Sequence, residues 1–439
     1  MPEPDSNAPY NIALLGCGTV GGGVARLLLE QPQRLAARAG RPLVLRRVLV
    51  RDPGKPRDPV LPPQLLTTDL SAIVRDPEIH LAVEVAGGVD WARKVILDLL
   101  AAGKDVVTAN KALLAEHGQE IFDTGRRHGR AVAFEASVGG GVPIIAALTQ
   151  SLAANRIISL QGILNGTCNF ILTGMSEHGR SYAEALADAQ KHGYAEADPS
   201  LDVNGTDAAQ KLAILAQIAF GVAVPVDQIS CRGIANIQAA DIRFARELGY
   251  TIKLLAEAWL DGNQLSLHVS PVLLRHLTPL AQVRDAFNAI NVIGDAVGHT
   301  LYYGRGAGQM PTASAVTADI IDMAVGRAQR TFATLSLWSG KDNGVTLRSR
   351  ETVRTRFYLR LLIQDRPGVL ADVARLLANH GISISSVIQH EALEGHEGDT
   401  VPLVIVTHTA PTGSVLATLA EIDRMPSVTA PSVHFPMED

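Results

Sequence analysis

The stretch "YNIALL", residues 10–15, runs directly into Gly16-Cys17-Gly18-Thr19-Val20-Gly21. This junction constrains the fold more than any other segment. A short buried strand must turn sharply into a helix, whose apolar face continues through Val24, Leu27 and Leu28. Gly16 permits the tight turn, Gly18 lets backbone approach a pyrophosphate, and Gly21 lets helix and strand pack closely. Thr19 and Val20 open the helix, whose free N–H groups and positive end suit phosphate. A glycine-rich turn without a ligand is the competing reading. The strand before it and the helix after it favour a dinucleotide site.

The rhythm continues. Strand-like runs at 43–50, 81–87, 104–110 and 130–137 alternate with helical stretches near 90–102 and 112–128. Alternating β and α elements predict a parallel sheet covered by helices on both faces. After the second strand come Arg51, Asp52 and Lys55. An acid there takes the ribose 2′-OH of NAD, whereas an arginine holds the 2′-phosphate of NADP. Arg51 comes first and Lys55 adds charge, so NADP is favoured over NAD. A solvated basic loop is the other reading of Lys55 and Arg57. Lys111 follows the strand "VVTAN", at the carboxyl end where such sheets bind ligands; it is either a cofactor-side lysine or a surface lysine at a helix start.

The pattern changes near residue 141. Helices near 141–153, 181–192 and 206–220 mix with strands near 251–259, 265–272, 288–293 and 299–303, which predicts an α+β substrate and dimerisation domain. The expected division is 1–140 for the nucleotide domain, with a helix at 311–330 returning to it, and 141–310 for the second. A polar linker at 339–354 leads to a module at 355–439. Within that module the order β-α-β-β-α-β is the ferredoxin-like split unit. The fold class is therefore α/β, in three parts.

The helix at 206–220 begins with Asp207 and places Lys211 four residues on. Positions i and i+4 share a face. In solvent the pair would be an ordinary ion pair, and Asp207 could also cap the helix. The apolar run that follows, "LAILAQIAF", marks a central helix and favours a cleft-lining pair. A lysine partly out of water can exchange protons near neutrality. Upstream, Gly193 reads as a glycine just past a helix end, and Glu196, Asp198 and Asp202 occupy a turn-rich loop. Acids beside a lysine suit a small substrate carrying an ammonium group and a hydroxyl.

Composition narrows the class. The chain has 439 residues, 47% hydrophobic and 19% charged, with a net charge of −5. It is globular, and the acidic balance argues against a general nucleic-acid binder. Three cysteines without metal-ligand spacing fit a reducing compartment. "MPEPDSNAP" lacks the features of a signal peptide, and no apolar run reaches membrane-spanning length. A cytoplasmic setting, with no membrane partner, is expected.

Together, "GCGTVGGG", "TANKALLAEHG", "EASVGGGVPII", "NGTCNFIL", "GYAEADPSLDVNGTDAAQKLAIL" and "GRGAGQMPTASAVTADI" resemble homoserine dehydrogenase over nearly all of 10–330. Residues 355–435 resemble an ACT domain, through "DRPGVL". The resemblance implies interconversion of L-homoserine and L-aspartate 4-semialdehyde, with NADP or NAD as hydride carrier. It implies Lys211 as general acid/base and Lys111 between substrate and nicotinamide. It implies Glu196 and Asp207 holding the substrate, with Asp202, Gly166, Thr167 and Tyr194 beside it, and Gly193 and Gly308 approaching the cofactor. Backbone carbonyls of Glu135, Val138, Gly140 and Val142 match a monovalent-cation site, often for sodium. Asp365, Gly368, Val369 and Leu370 would take an effector amino acid, with threonine the natural candidate, in a homodimer or homotetramer. A purely structural dimerisation module is the competing reading. Two rival functions stand beside this one: an aspartate-semialdehyde dehydrogenase with Cys168 as nucleophile, and a non-catalytic amino-acid sensor.

Overall fold

A computed structural model describes residues 8–57, 60–340, 343–390 and 400–438. The polar N-terminal stretch, through residue 7, lies outside the described residues. The chain divides into two compact units: residues 1–159, 207–229 and 287–345 form the first, and 160–206, 230–286 and 346–439 the second.

The first unit contains six parallel strands: β1 (Tyr10–Leu15), β2 (Leu43–Leu49), β3 (Leu66–Thr67), β4 (Leu81–Glu84), β5 (Asp105–Thr108) and β6 (Val132–Ala133). They lie in the order β3-β2-β1-β4-β5-β6, the doubly wound order with its reversal beside β1. Ile12 pairs with Leu45 on one side and Leu81 on the other. All six residues of β1 are buried, as befits a parallel strand covered on both faces. Helix Thr19–Glu30 packs on helix Gln309–Ala324, which the glycine run permits: a Cβ at Gly23 would stand 2.9 Å from that of Ala313.

Two expected elements differ. The strand expected at 130–137 pairs only over Val132–Ala133, and Glu135–Ser137 form a 3-10 turn. The cause is Glu135, whose carboxylate turns inward to accept from the amides of Ile145 and Ala146 at 2.9 and 2.7 Å. The helix expected at 141–153 is a short turn, Ile144–Ala146, that widens to π geometry over Ala147–Ser151. Pro143 fixes its start and supplies no N–H donor.

In the second unit, strand Tyr250–Asp261 pairs antiparallel with Gln264–Arg275. Two helices there, Gly166–His178 and Ala239–Glu247, were not expected. Four strands of the C-terminal module lie in the order Val428–Glu438, Arg354–Gln364, Thr400–Thr407, Ile384–Gln389, the ferredoxin-like arrangement. Helices Val369–Asn379 and Thr412–Ile422 complete it around a core of Leu359, Leu361, Val373, Leu403 and Val415. Its last strand also forms two parallel rungs, Leu273 to Met437 and Leu274 to Glu438.

Candidate active site

The nucleotide crevice lies at the carboxyl ends of β1, β2 and β4. It is a cavity of about 820 Å³ whose walls include Gly16, Gly18, Thr19, Arg51, Lys55 and Arg57. Gly16 has φ +96°, a backbone state that favours glycine. Added at Gly21, a Cβ would lie 2.2 Å from the Gly16 carbonyl oxygen, while at Gly18 it would meet nothing within 4 Å. The first contact shows why the turn is closed to side chains, and the second leaves room beside the helix N-terminus for a pyrophosphate.

The loop after β2 decides how charge is presented. The Asp52 carboxylate accepts from the Gly54 amide at 2.8 Å, so it serves its own turn. The Arg57 guanidinium donates to the Asp52 and Lys55 carbonyls at 2.6 and 2.8 Å, bracing the loop. Arg51 and Lys55 remain exposed at the cavity wall.

Sequence reasoning missed Glu84. It is fully buried at the end of β4 and accepts from the amides of Ala86 and Gly87 at 2.9 and 3.0 Å and from the Thr108 hydroxyl at 2.7 Å. It fixes the loop at the strand switch. An acid ending an otherwise apolar run, "LAVE", was the available signal. Trp91 and Gln309 also line the cavity and were missed.

The catalytic candidates meet at the start of helix Thr206–Phe220. Lys211 donates to Asp207 Oδ2 at 2.7 Å, the i to i+4 contact. Lys111 Nζ lies 3.2 Å from Asp207 Oδ1. Asp207 is thus not a cap but a buried carboxylate, 8% exposed, between two ammonium groups. The Lys211 side chain is 13% exposed and that of Lys111 37%. Helix Lys111–His128 brings Lys111 there, with Asn110 as its cap: its side chain accepts from the Leu113 amide and donates to the Gly88 carbonyl.

The loop residues belong to the second unit. Gly193, φ +74°, follows helix Tyr182–Lys191 as expected. Asn165 caps helix Gly166–His178 through the Cys168 amide and donates to Asp202 at 2.7 Å. Thr167 donates to the Tyr194 carbonyl at 2.6 Å. Glu196 is exposed. Cys168 is fully buried, its thiol donating to the Asp202 carbonyl; it is a packing residue of this turn.

In the first unit, Glu135 and Asp319 form a buried acidic pair. Asp319 accepts from the Glu135 amide at 2.9 Å. Burial raises the Glu135 carboxyl to about 7 despite its amide donors, and burial with the Glu135 charge raises Asp319 well above its ordinary value. Gly139 and Gly140 then turn with φ +74° and +52°. Gly140 lies against Gly306, where a Cβ would stand 2.4 Å from the carbonyl oxygen. Gly308 has φ +117° just before helix Gln309–Ala324. In the C-terminal module, Gly368, φ +93°, precedes helix Val369–Asn379; Leu370 is exposed, and Gln389 donates to Asp365 at 3.2 Å.

Comparison with known proteins matches three successive segments of the chain. Residues 16–135 match the family described as homoserine dehydrogenase, NAD binding domain, 143–321 match homoserine dehydrogenase, and 357–424 match the ACT domain. Homoserine dehydrogenase of Synechocystis sp. is 44% identical over 95% of this chain and 96% of its own. A crystal structure of a homoserine dehydrogenase from Thiobacillus denitrificans superposes with a TM-score of 0.89 at 41% identity, covering 98% of this chain and 99% of that one. A hyperthermophilic archaeal homoserine dehydrogenase solved in complex with NADPH is 26% identical with a TM-score of 0.61, covering 72% of this chain and 97% of that one. A nucleotide crevice, a lysine–aspartate–lysine array and an ACT module on one chain, with relatives matched over their full lengths, place it: the chain belongs to the homoserine dehydrogenase family of NAD(P)-dependent oxidoreductases.

Proposed function

We propose that Lys211 is the general acid/base in the interconversion of L-homoserine and L-aspartate 4-semialdehyde. The Asp207-centred array carries this reading. The bound nicotinamide supplies or accepts the hydride. In the reducing direction Lys211 gives a proton to the nascent alkoxide, and in the oxidising direction it takes the proton back. Its ammonium also stabilises the developing negative charge, and a drier ammonium does so more strongly. Lys211 is the less exposed lysine, so it is assigned the proton and Lys111 the orientation of substrate against nicotinamide. Glu196 takes the substrate ammonium. Asp202, Thr167, Gly166 and Tyr194 shape its loop, and Gly193 and Gly308 approach the cofactor through backbone. The domain roles follow the three matched segments: nucleotide, substrate and regulation.

NADP is favoured over NAD because Asp52 is committed to its own turn while Arg51 and Lys55 stand exposed at the cavity wall, where a 2′-phosphate would lie. The NADPH complex of the archaeal relative supports the same choice. The carbonyls of Glu135, Val138, Gly140 and Val142 are assigned to a sodium-sized cation. The Glu135 carboxylate is engaged by amides, which leaves its carbonyl for that role. Threonine at Asp365, Gly368, Val369 and Leu370 is the proposed feedback effector, in a homodimer or homotetramer of the cytoplasm. Among the described residues no helix is long and apolar enough to cross a membrane.

Initial rates with homoserine, against NADP and NAD, with and without threonine and sodium, test these assignments together. Lys211→Ala should lower kcat strongly with nucleotide affinity intact, and near-normal turnover would remove Lys211 from its role. Threonine inhibition that survives Asp365→Ala unchanged would remove the effector site.

A further inference from the structure

Helix Ala239–Glu247 and the start of strand Tyr250–Asp261 border a second cavity, of about 370 Å³, within the second unit. Arg246, Lys253, Arg284 and His276 line it; among the described residues Glu177 is the one acid in its wall, and it is already ion-paired with Arg284. Lys253 is 2% exposed. Its ammonium donates to the Asn169 side-chain oxygen at 3.0 Å and to the Val283 carbonyl at 2.5 Å. Both acceptors are neutral, and an ammonium has three donors. Burial lowers its pKa to about 8, the sign of a charge short of compensation. Arg246 is exposed at the cavity and, among the described residues, its guanidinium makes no hydrogen bond or ion pair. Glu177 and Asp285 act on Lys253 through space, but among the described residues neither makes an ion pair with it. A buried charge without a contacting counter-charge is costly, and an opening with a second cation at its rim is where that counter-charge would enter.

We propose that this cavity binds a small oxyanion, a phosphate or a short carboxylate, between Lys253 and Arg246. Ile242, Tyr250 and Ala281 supply an apolar wall that a short carbon chain can contact. The position gives the site two mechanical connections. Lys253 holds Asn169, on the helix whose cap Asn165 donates to Asp202 in the acidic loop. Ile242 and Arg246 lie on the same helix as Asp241, a fully buried acid held by Arg360 and Tyr358 of the regulatory module's first strand. An anion there bears on the Asp202 loop and on the anchor of the ACT module at once.

Isothermal titration calorimetry of the full-length chain tests the site. Inorganic phosphate and malonate are titrated separately, with potassium chloride holding ionic strength constant. One anion per chain is expected for at least one of the two; a response to phosphate alone assigns phosphoryl ligands, and to malonate alone carboxylates. Arg246→Gln, an exposed change that leaves the fold intact, should weaken binding about tenfold through loss of a charge-assisted contact. Lys253→Met should weaken it further where that variant folds. No binding of either anion, or an affinity that Arg246→Gln leaves unchanged, overturns the proposal.

Discussion

Asp207→Asn keeps the shape of the first helical turn and removes one negative charge. The wild-type carboxylate, 8% exposed, receives Lys211 at 2.7 Å and faces Lys111 at 3.2 Å. A hydrogen bond to a charged group is worth about 1.5–3 kcal/mol. The Lys111 side chain is 37% exposed, so solvent screens its share to about 0.5 kcal/mol. The Lys211 contact therefore sets the scale. The amide oxygen of asparagine can still accept from one lysine, which keeps the loss near the middle of the range, about 2 kcal/mol, and that corresponds to about a 30-fold fall in kcat/KM. The two ammonium groups would also repel one another once the charge between them is gone, which adds to the displacement. Initial rates with homoserine and NADP measure the loss, and nucleotide fluorescence quenching reports cofactor affinity, expected to change less than about twofold because the crevice residues are untouched. A fall in kcat/KM of less than about threefold refutes the claim that this carboxylate positions Lys211, since it leaves under 1 kcal/mol for the contact.

Three further outcomes are expected. Cys168→Ser should retain turnover, because the thiol is buried and bonded to the Asp202 carbonyl; loss of more than about tenfold, measured as kcat, would restore the nucleophile reading. Arg360→Met strands the fully buried Asp241, whose partner side chain is 8% exposed, and should cost about 3–5 kcal/mol, read as a lower urea midpoint. Glu438 lies half-buried against Glu257 and Gln161. Burial and then the Glu257 charge raise its pKa well above the ordinary 4.5. Its stabilising contribution is therefore whole below about pH 4.5 and is lost as pH rises toward that higher value. For Glu257, burial acts upward but the His268 charge and hydrogen bond outweigh it, so its contribution is lost only as pH falls below 4.5. Glu438→Gln should leave the melting temperature at pH 5 nearly unchanged and raise it relative to wild type at pH 9; equal shifts at both would refute the assignment.

The nucleotide fold was readable because its signals are local. A buried run, three glycines at fixed spacing and an apolar helix sit within about 20 residues, the scale on which such a fingerprint is written. Asp207 and Lys211 were readable for the same reason, as an i to i+4 pair. Lys111 was placed correctly at a strand end, but its contact with Asp207 spans 96 positions in the chain (207 minus 111), and no periodicity records it. Helix Gly166–His178 stayed hidden because Gly166, Gly174 and three β-branched residues weaken its propensity; Asn165, which caps it, was the overlooked cue. The strand expected at 130–137 failed through a long-range cause, the turn of Glu135 toward the amides at 145 and 146. The basic side chains around Lys253, those of Arg246, His276 and Arg284, come from separate stretches of sequence, so only the folded chain gathers them.

The two parallel rungs at Met437 and Glu438 tie the regulatory module to the sheet beside it, closing the edge of strand Gln264–Arg275 at Leu273 and Leu274. A chain cut before Val428 would leave that short edge with unpaired backbone groups, in a chain long enough to populate partly folded states. Trimming the regulator away is therefore not a neutral route to an unregulated enzyme, because the same cut opens a strand edge to association.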